Sequence, residues 1–293
     1  VVPLDEDDVI TAVKIAAGHR VPILPRGGGT SLAGQTVGEA LVIDVSKHLT
    51  GILEVNAEQG WVRVEPGVVR DQLNAHLAPH GLQFTPDVST TNRANVGGMV
   101  ANNSAGTRSI KYGRSVDQVL AMKVLLADGS VHWLDELDGF GLEQQLARRD
   151  RLGDIYRAVH GIVTEHEEEI EARFPKVMRR VGGYNLDEFT GARPFNLAKL
   201  VSGSEGTLAF ILELKLRLYP IPKHRVMALV HFRDMVSALK AVPLINRHGP
   251  SAVELIDDVM MNLGLENREI AKLLHWLDGT PESVLMVEFD GSS

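Results

Sequence analysis

Apolar and polar positions follow two rhythms along the chain. Residues 5–17 place Val9, Ile10, Val13, Ala16 and Ala17 on one face at helical spacing, which predicts a helix. Asp5 or Asp7 can cap it, acidic residues fill its first turn, and Gly18 suits its end. Val21–Leu24 reads as a short buried strand, and "ALVIDVS", 40–46, as a second. "GILEVNAEQGWVRVEPG", 51–67, alternates on both sides of Glu58–Gly60 and predicts a hairpin. The helical rhythm returns at 68–78 with Val69, Leu73 and Leu77, and stops at Gly81. "QVLAMKVLLADGSVHWL", 118–134, is a second hairpin turning at Asp128–Gly129. Residues 154–172 form an amphipathic helix with Ile155, Val159, Ile162, Val163 and Ile170 on its buried face. "LAFILELKLRLYP", 208–220, is a strand halted by Pro220. From 226 the pattern restarts with strand "RVMALVHF", a helix at 234–246 and "PSAVELID". A domain boundary is therefore expected near Pro220–Pro222, dividing the chain into 1–220 and 221–293.

Two long stretches break both rhythms. "PILPRGGGTSLAGQ", 22–35, puts three glycines after an arginine at a strand exit. Such a loop is either a plain turn or an anion-binding concavity of free N–H groups, for which a diphosphate is the usual occupant. It is not a P-loop, because no lysine follows the glycines, and it is not G-x-G-x-x-G, because Leu32 stands three residues after Gly29. The second stretch, "TPDVSTTNRANVGGMVANNSAGTRSIKYG", 85–113, is almost without large apolar residues. It is too poor in volume to build a core, but it can pack tightly between elements or lie flat on a planar ligand. A shorter third stretch, "VSGSEGTLAFI", 201–211, again sets small residues and one acid before a strand.

Composition narrows the choices. The 293 residues are 44% hydrophobic, enough for a substantial core, and carry a formal charge of −8. That balance argues against nucleic acid or an anionic membrane as the main partner. There are no cysteines, which excludes disulfides, thiolate metal sites and a cysteine nucleophile within the chain. No apolar run is long enough for a transmembrane helix, and the opening "VVPLDEDDVI" is not a signal peptide. The missing initiator methionine and the ending "VEFDGSS" suggest a piece of a longer chain. A cytoplasmic location is expected, or a peripheral one at a membrane through an electron acceptor.

Taken in order, "PRGGGTSLAG", "TPD", "VGGMVANNSAGTRSIKYG", "VLLADG", "GGYNLDEF" and "GSEGTLAFI" resemble the FAD-binding, PCMH-type domain of the vanillyl-alcohol oxidase / p-cresol methylhydroxylase superfamily. The resemblance runs from about residue 3 to 258. Its branch is that of the D-2-hydroxyacid dehydrogenases: D-lactate dehydrogenase, the glycolate oxidase flavin subunit and D-2-hydroxyglutarate dehydrogenase. It implies an α+β fold in which a first part, about 1–45 and 51–81, packs against a larger mixed sheet, about 82–220, with FAD in the groove between them. Residues 221–293 would begin an α+β cap domain. Arg26, Gly27, Gly28, Gly29, Thr30, Ser31 and Leu32 would hold the pyrophosphate. Pro86, Asp87, Val96, Gly97, Gly98, Asn102, Asn103, Ser104 and Gly106 would wrap the cofactor, and Tyr112 and Gly113 would end that segment. Glu205, Gly206 and Ile211 would close over it. Some relatives tether the flavin through a histidine in a "GGH" context. Here Gly28–Gly29–Thr30–Ser31 stands in its place, so the FAD is expected to be non-covalent.

The implied reaction is oxidation of a D-2-hydroxy acid to the 2-oxo acid by hydride transfer to FAD. The alternatives are a non-catalytic FAD-binding module of a larger redox protein and, with less support from "GSEGTLAFI" and "VELID", an NADPH-dependent reductase on the same fold. Arg179 and Arg180 are candidates for a substrate carboxylate, although relatives often carry Lys-Asn-Thr/Ser-Gly-Tyr where this chain has Arg180–Val181–Gly182–Gly183–Tyr184. His224, His231, His248 and His275 are too scattered to make a metal site, so none is assigned; a divalent metal would belong to sequence further on. Glu254 and Asp257 read as structural. The catalytic base stays open, as does the electron acceptor: a quinone, a cytochrome, a flavoprotein or a fused iron–sulfur domain.

Overall fold

The computed structural model describes residues 1–291. They form two compact units, one of residues 1–105 and 114–220, the other of 106–113 with the chain from Ile221 onward.

The first unit opens with the helix Glu6–Gly18, capped by Asp5, whose carboxylate accepts from the Asp8 N–H. The left-handed residue that ends it is Arg20, φ 56°, two positions beyond the glycine expected there. The N–H groups of His19, Arg20 and Val21 satisfy the last carbonyls from that position. Strands β1 (Ile23–Arg26) and β2 (Leu41–Asp44) then pair in parallel. The hairpin of β3 (Ile52–Asn56) and β4 (Trp61–Val64) follows, then the helix Arg70–Leu77 and the short β5 (Leu82–Gln83). After the helix Val96–Ala101 come β6 (Val119–Leu125) and β7 (Val131–Leu134), joined through Gly129, whose φ of 84° meets the demand of the turn. The helix Arg151–Arg173, started by the Asp150 cap, leads towards β8 (Phe210–Arg217) and β9 (Tyr219–Pro220).

The main sheet runs β3-β4-β8-β6-β7, antiparallel throughout. This corrects the expected division. The hairpin 51–67 does not join the first part; β4 pairs with β8, from Trp61 opposite Arg217 to Val64 opposite Leu214. The reason lies in its alternation. Val62 and Val64 are fully buried in the same core as Leu214 and Leu216, while on the opposite face the Lys215 ammonium sits 4.1 Å over the Trp61 ring. A register shift between β6 and β8, where Glu213 gives way to Ile211, exchanges the two faces of β8. Beyond it, Phe210 and Leu212 pack with Val9, Val13 and Ile43 in a separate, smaller core.

The second unit is a three-stranded antiparallel sheet of β10 (His224–Phe232), β11 (Ala252–Asp257) and β12 (Ser283–Gly291), with β12 in the middle. Ala238 of the helix Met235–Asn246 packs on Leu285 and Val287 of β12. Segment 106–113 is fastened to β12 by charge. Arg108 makes a two-pronged pair with Glu288, Nε to Oε1 at 2.8 Å and Nη2 to Oε2 at 2.7 Å. The fully buried Ser251 donates a further bond to Oε1 at 2.8 Å. Lys111 pairs with Asp290 one turn further on.

The Arg108 hydrogen bonds, opposed by burial and aided by Ser251, hold the Glu288 carboxyl below the ordinary value of 4.5. A carboxylate depressed in the folded state contributes stability that is complete above its unfolded pKa and lost as pH falls through its folded pKa. Stability of the second unit is therefore expected to fall as pH drops below 4.5, and Glu288→Gln to flatten that part of the curve. At neutral pH, Arg108→Ala leaves a buried charge unpaired and should cost about 3 kcal/mol. Urea unfolding of both variants across pH 3 to 7, at roughly 1–3 kcal/mol per molar urea for the unfolding slope, checks this. Equal pH slopes for wild type and Glu288→Gln would count against it.

Candidate FAD-binding site

The three stretches singled out in the sequence, the second of them as far as Ala105, meet in the first unit. The glycine loop leaves β1 at Arg26, whose Nη2 donates to Asp44 Oδ2 at 2.5 Å. Burial pushes the Asp44 carboxyl up, but hydrogen bonds from Ser46 and Arg26 outweigh it and leave its pKa lowered. Arg26 thus braces the entry of the loop from β2, so its guanidinium is already engaged. Beyond it, the N–H groups of Gly28, Gly29, Thr30, Ser31 and Leu32 donate to no protein atom among the described residues. The Leu32 side chain is fully exposed. Five successive main-chain donors without protein acceptors make the concavity that an anion requires.

The glycines of this site divide into two kinds. A Cβ on Gly28 would stand 2.3 Å from the Arg93 carbonyl oxygen, and one on Gly27 would stand 2.8 Å from Asn95 Oδ1. Likewise, a Cβ on Gly97 would meet Pro66 at 2.5 Å. These glycines let the protein touch itself. Gly98, one residue on, is exposed and its Cβ would meet nothing within 4 Å, although it belongs to the same helix, Val96–Ala101. The pair Gly97–Gly98 therefore has one inward glycine that serves packing and one outward glycine with open space before it.

The third stretch closes against the other two. The N–H groups of Gly203 and Glu205 donate to the Val100 and Ala101 carbonyls, both at 2.9 Å. Asn102 Nδ2 reaches Glu205 Oε1 at 3.3 Å. A Cβ on Gly206 would lie 3.2 Å from Pro25, at the root of the glycine loop. Asn103 and Glu205 both hold the left-handed conformation, at φ 50° and 53°, which turns the chain sharply at each loop and is the more costly at Glu205. Tyr184, from "GGYNL", joins this loop by a 3.0 Å bond between its hydroxyl and that of Thr207.

Five buried polar atoms in or around these stretches have no hydrogen-bond partner among the described residues: Gln35 Oε1, Thr85 Oγ1, Asn95 Oδ1, Asn103 Nδ2 and Ser204 Oγ. Buried polar groups are normally satisfied, so this concentration marks where a polar ligand belongs. Asn95 is anchored by its other end, Nδ2 to the Gly67 carbonyl at 2.5 Å, and Asn103 by Oδ1, which accepts from the Val116 N–H. Each is held fixed with one polar atom to spare. The donor set suits a diphosphate, and the small-residue surface suits a flat ring system.

The sequence matches two families: residues 1–135 the FAD binding domain, and residues 221–293 the C-terminal domain of FAD linked oxidases. Both segments therefore match domains found in FAD-linked oxidases. The cofactor is FAD, and the free N–H groups and unsatisfied polar atoms of these loops fit it. Among curated relatives, D-2-hydroxyglutarate dehydrogenase of Pseudomonas putida is 38% identical over 99% of this chain and 30% of that protein. The enzyme of that name from Escherichia coli is 35% identical over the same shares. Glycolate oxidase subunit GlcD of Bacillus subtilis is 28% identical over 99% of this chain and 51% of its own length. The chain thus spans about 30% of the first two relatives. A solved alkyldihydroxyacetonephosphate synthase shares the fold, with a TM-score of 0.67 at 18% identity over 99% of this chain and 47% of that one.

The other expected residues fall in different places. The side chains of Val96 and Ile211 lie in the main core, so only their backbone is available to a ligand. Pro86 is buried, Asp87 half-buried and engaged within the protein. Ser104 accepts at its carbonyl from both the N–H and the hydroxyl of Ser115 at 2.9 Å. Gly106, Tyr112 and Gly113 belong to the second unit, where the Tyr112 hydroxyl stands 3.4 Å from Asp290 Oδ2. Arg179 is exposed on the surface, whereas Arg180 is buried and paired with Asp187. Sequence reasoning passed over Thr85, Asn95 and Ser204. Asn95, just ahead of a double glycine, was the one with a visible signal.

The two glycines separate packing from binding. Gly98→Ala should leave the fold intact or raise its stability by up to about 1 kcal/mol through helix propensity, while weakening FAD binding at least tenfold. Gly97→Ala should lower the melting temperature instead. Flavin fluorescence titration beside thermal unfolding distinguishes them. Unchanged FAD affinity in Gly98→Ala would show that this face does not meet the cofactor.

Proposed function

We propose that this chain is the flavin-holding part of a dehydrogenase that oxidises a D-2-hydroxy acid to its 2-oxo acid, with D-2-hydroxyglutarate the first candidate substrate. What supports the reading is the convergence of the three loops on one surface with free N–H donors and unsatisfied buried polar atoms, in a chain whose relatives are named for that reaction. FAD, when bound, supplies the acceptor for the substrate's α-hydrogen. The chain's own residues hold and shield it. Gly28 to Leu32 present N–H groups to the diphosphate. Thr85, Asn95, Asn103 and Ser204 supply the directed polar contacts that fix its orientation.

The flavin is held without a covalent bond. The loop position where some relatives carry a histidine is occupied by Thr30, and the chain has no cysteine. Acid precipitation of the yellow protein should leave all of the flavin in the supernatant. Colour that stays with the pellet would overturn the non-covalent assignment.

No proton acceptor is assigned to a residue of this chain. The reaction itself is tested on the whole protein. Mixed anaerobically with D-2-hydroxyglutarate, D-lactate or glycolate, its visible flavin absorbance should bleach with at least one. The L-enantiomers of the first two should leave it unchanged. Retention of colour with all of them would point to a flavin-holding module without this activity.

A further inference from the structure

A second cavity in the first unit, of about 780 Å³, shares no residue with the FAD loops. Its lining includes four cationic residues, Arg114, Lys176, Arg180 and Arg193, against two carboxylates, Glu171 and Asp187. Arg180 is the distinctive member. Its side chain is only 8% exposed. One edge of the guanidinium is held: Nη2 donates to Asp187 and, at 3.2 Å, to Asn185 Oδ1. One face is covered by the Phe174 ring, whose centroid lies 4.9 Å away. The other terminal nitrogen, Nη1, is buried and has no hydrogen-bond partner.

Everything around Arg180 serves to hold it still. Arg114 Nη1 donates to the Arg180 carbonyl at 2.5 Å, and its Nη2 pairs with Glu188 at 3.3 Å. Asn185 is fixed in turn by donating to the Lys199 and Ser202 carbonyls. Arg193 donates to the Asp187 carbonyl at 2.5 Å. Lys176, on the rim, makes no ion pair among the described residues. A guanidinium immobilised on one edge and one face, with Nη1 buried and unsatisfied in the lining of a cationic cavity, is organised to receive an acceptor from outside.

We propose that this cavity binds a small metabolite bearing two oxyanion groups, carboxylate or phosphate. One group is taken by Arg180 Nη1 and the other by Lys176 and Arg193 at the rim. The cavity falls within the size range of small-ligand sites. This assignment does not depend on the hydroxy-acid reading, because it requires binding and no turnover.

Calorimetric titration of the FAD-loaded chain with glutarate and with inorganic phosphate tests it. At least one should bind saturably, with one molecule per chain; which one does so tells carboxylate from phosphate. Arg180→Lys carries its donors on a single nitrogen, which cannot occupy both the Nη2 position at Asp187 and the Nη1 position, so affinity should fall about tenfold. Lys176→Ala changes an exposed side chain that makes no ion pair among the described residues, so it should fold normally and weaken binding about threefold. It decides the matter if Arg180→Lys does not fold. The proposal is overturned if neither probe saturates, or if the folded variants bind as wild type does. It is equally overturned if binding is seen only in the flavin-free chain, which would place the anion in the FAD loops.

Discussion

Backbone touching backbone is the contact on which the site depends. At Gly28 and Gly97 the chain approaches neighbouring segments so closely that a single methyl group would overlap the Arg93 carbonyl or Pro66. Close packing of this kind carries little hydrophobic free energy, because almost no apolar side chain is buried by it. Its effect is geometric. It brings the glycine loop, the helix Val96–Ala101 and the loop at 203–206 near enough for Gly203 and Glu205 to hydrogen-bond the carbonyls that end the helix. The energy that holds them comes from elsewhere, from the main core on one side of the five-stranded sheet and the smaller one of Val9, Ile43, Phe210 and Leu212. The sheet, held by these two cores, carries a surface of unsatisfied donors and acceptors that buries little apolar area itself.

The elements that bury apolar side chains were legible in the chain, because burial imposes a period. The helix at 5–17, both hairpins and the restart at 226 are present much as their patterns indicate. What the pattern could not show was partnership. Alternation in "WVRV" says that one face of β4 is buried, but not that the face belongs to the core of β8 some 150 residues later. The face exchange in β8 was equally hidden, since it arises from a bulge between strands, and a bulge depends on both of them. The helix Val96–Ala101 also escaped, because it lies in a glycine-rich run whose intrinsic preference is against a helix.

For the site, the sequence marked where side chains were missing more clearly than where polar atoms would be left over. A glycine triplet is conspicuous. A threonine or serine with a buried, unpaired hydroxyl looks like any other until its surroundings are known. Thr85 and Ser204 are of that kind. Arg26 and Ile211 show the converse. Both stand inside motifs that resemble cofactor-binding ones, yet Arg26 is committed to Asp44 and the Ile211 side chain to the core. Membership of a motif locates a segment at the site, while the division of labour within it follows from which way each residue faces.

The same distinction explains why the adjacent arginines 179 and 180 differ so completely. Two successive residues at the end of a surface segment would each be expected in solvent, with long aliphatic stems and heavily hydrated heads. Arg180 is withdrawn because Asp187, Asn185 and Phe174 together replace its hydration on one edge and one face. Burying a guanidinium is costly unless its donors are matched, and the matching here stops one nitrogen short. A structure concerned only with stability would gain by a lysine at the surface or an apolar residue in the same space. The retained arginine is better understood as the fixed half of an interaction whose other half is not part of this chain, in the same way that Asn95 and Asn103 are each anchored at one end and open at the other.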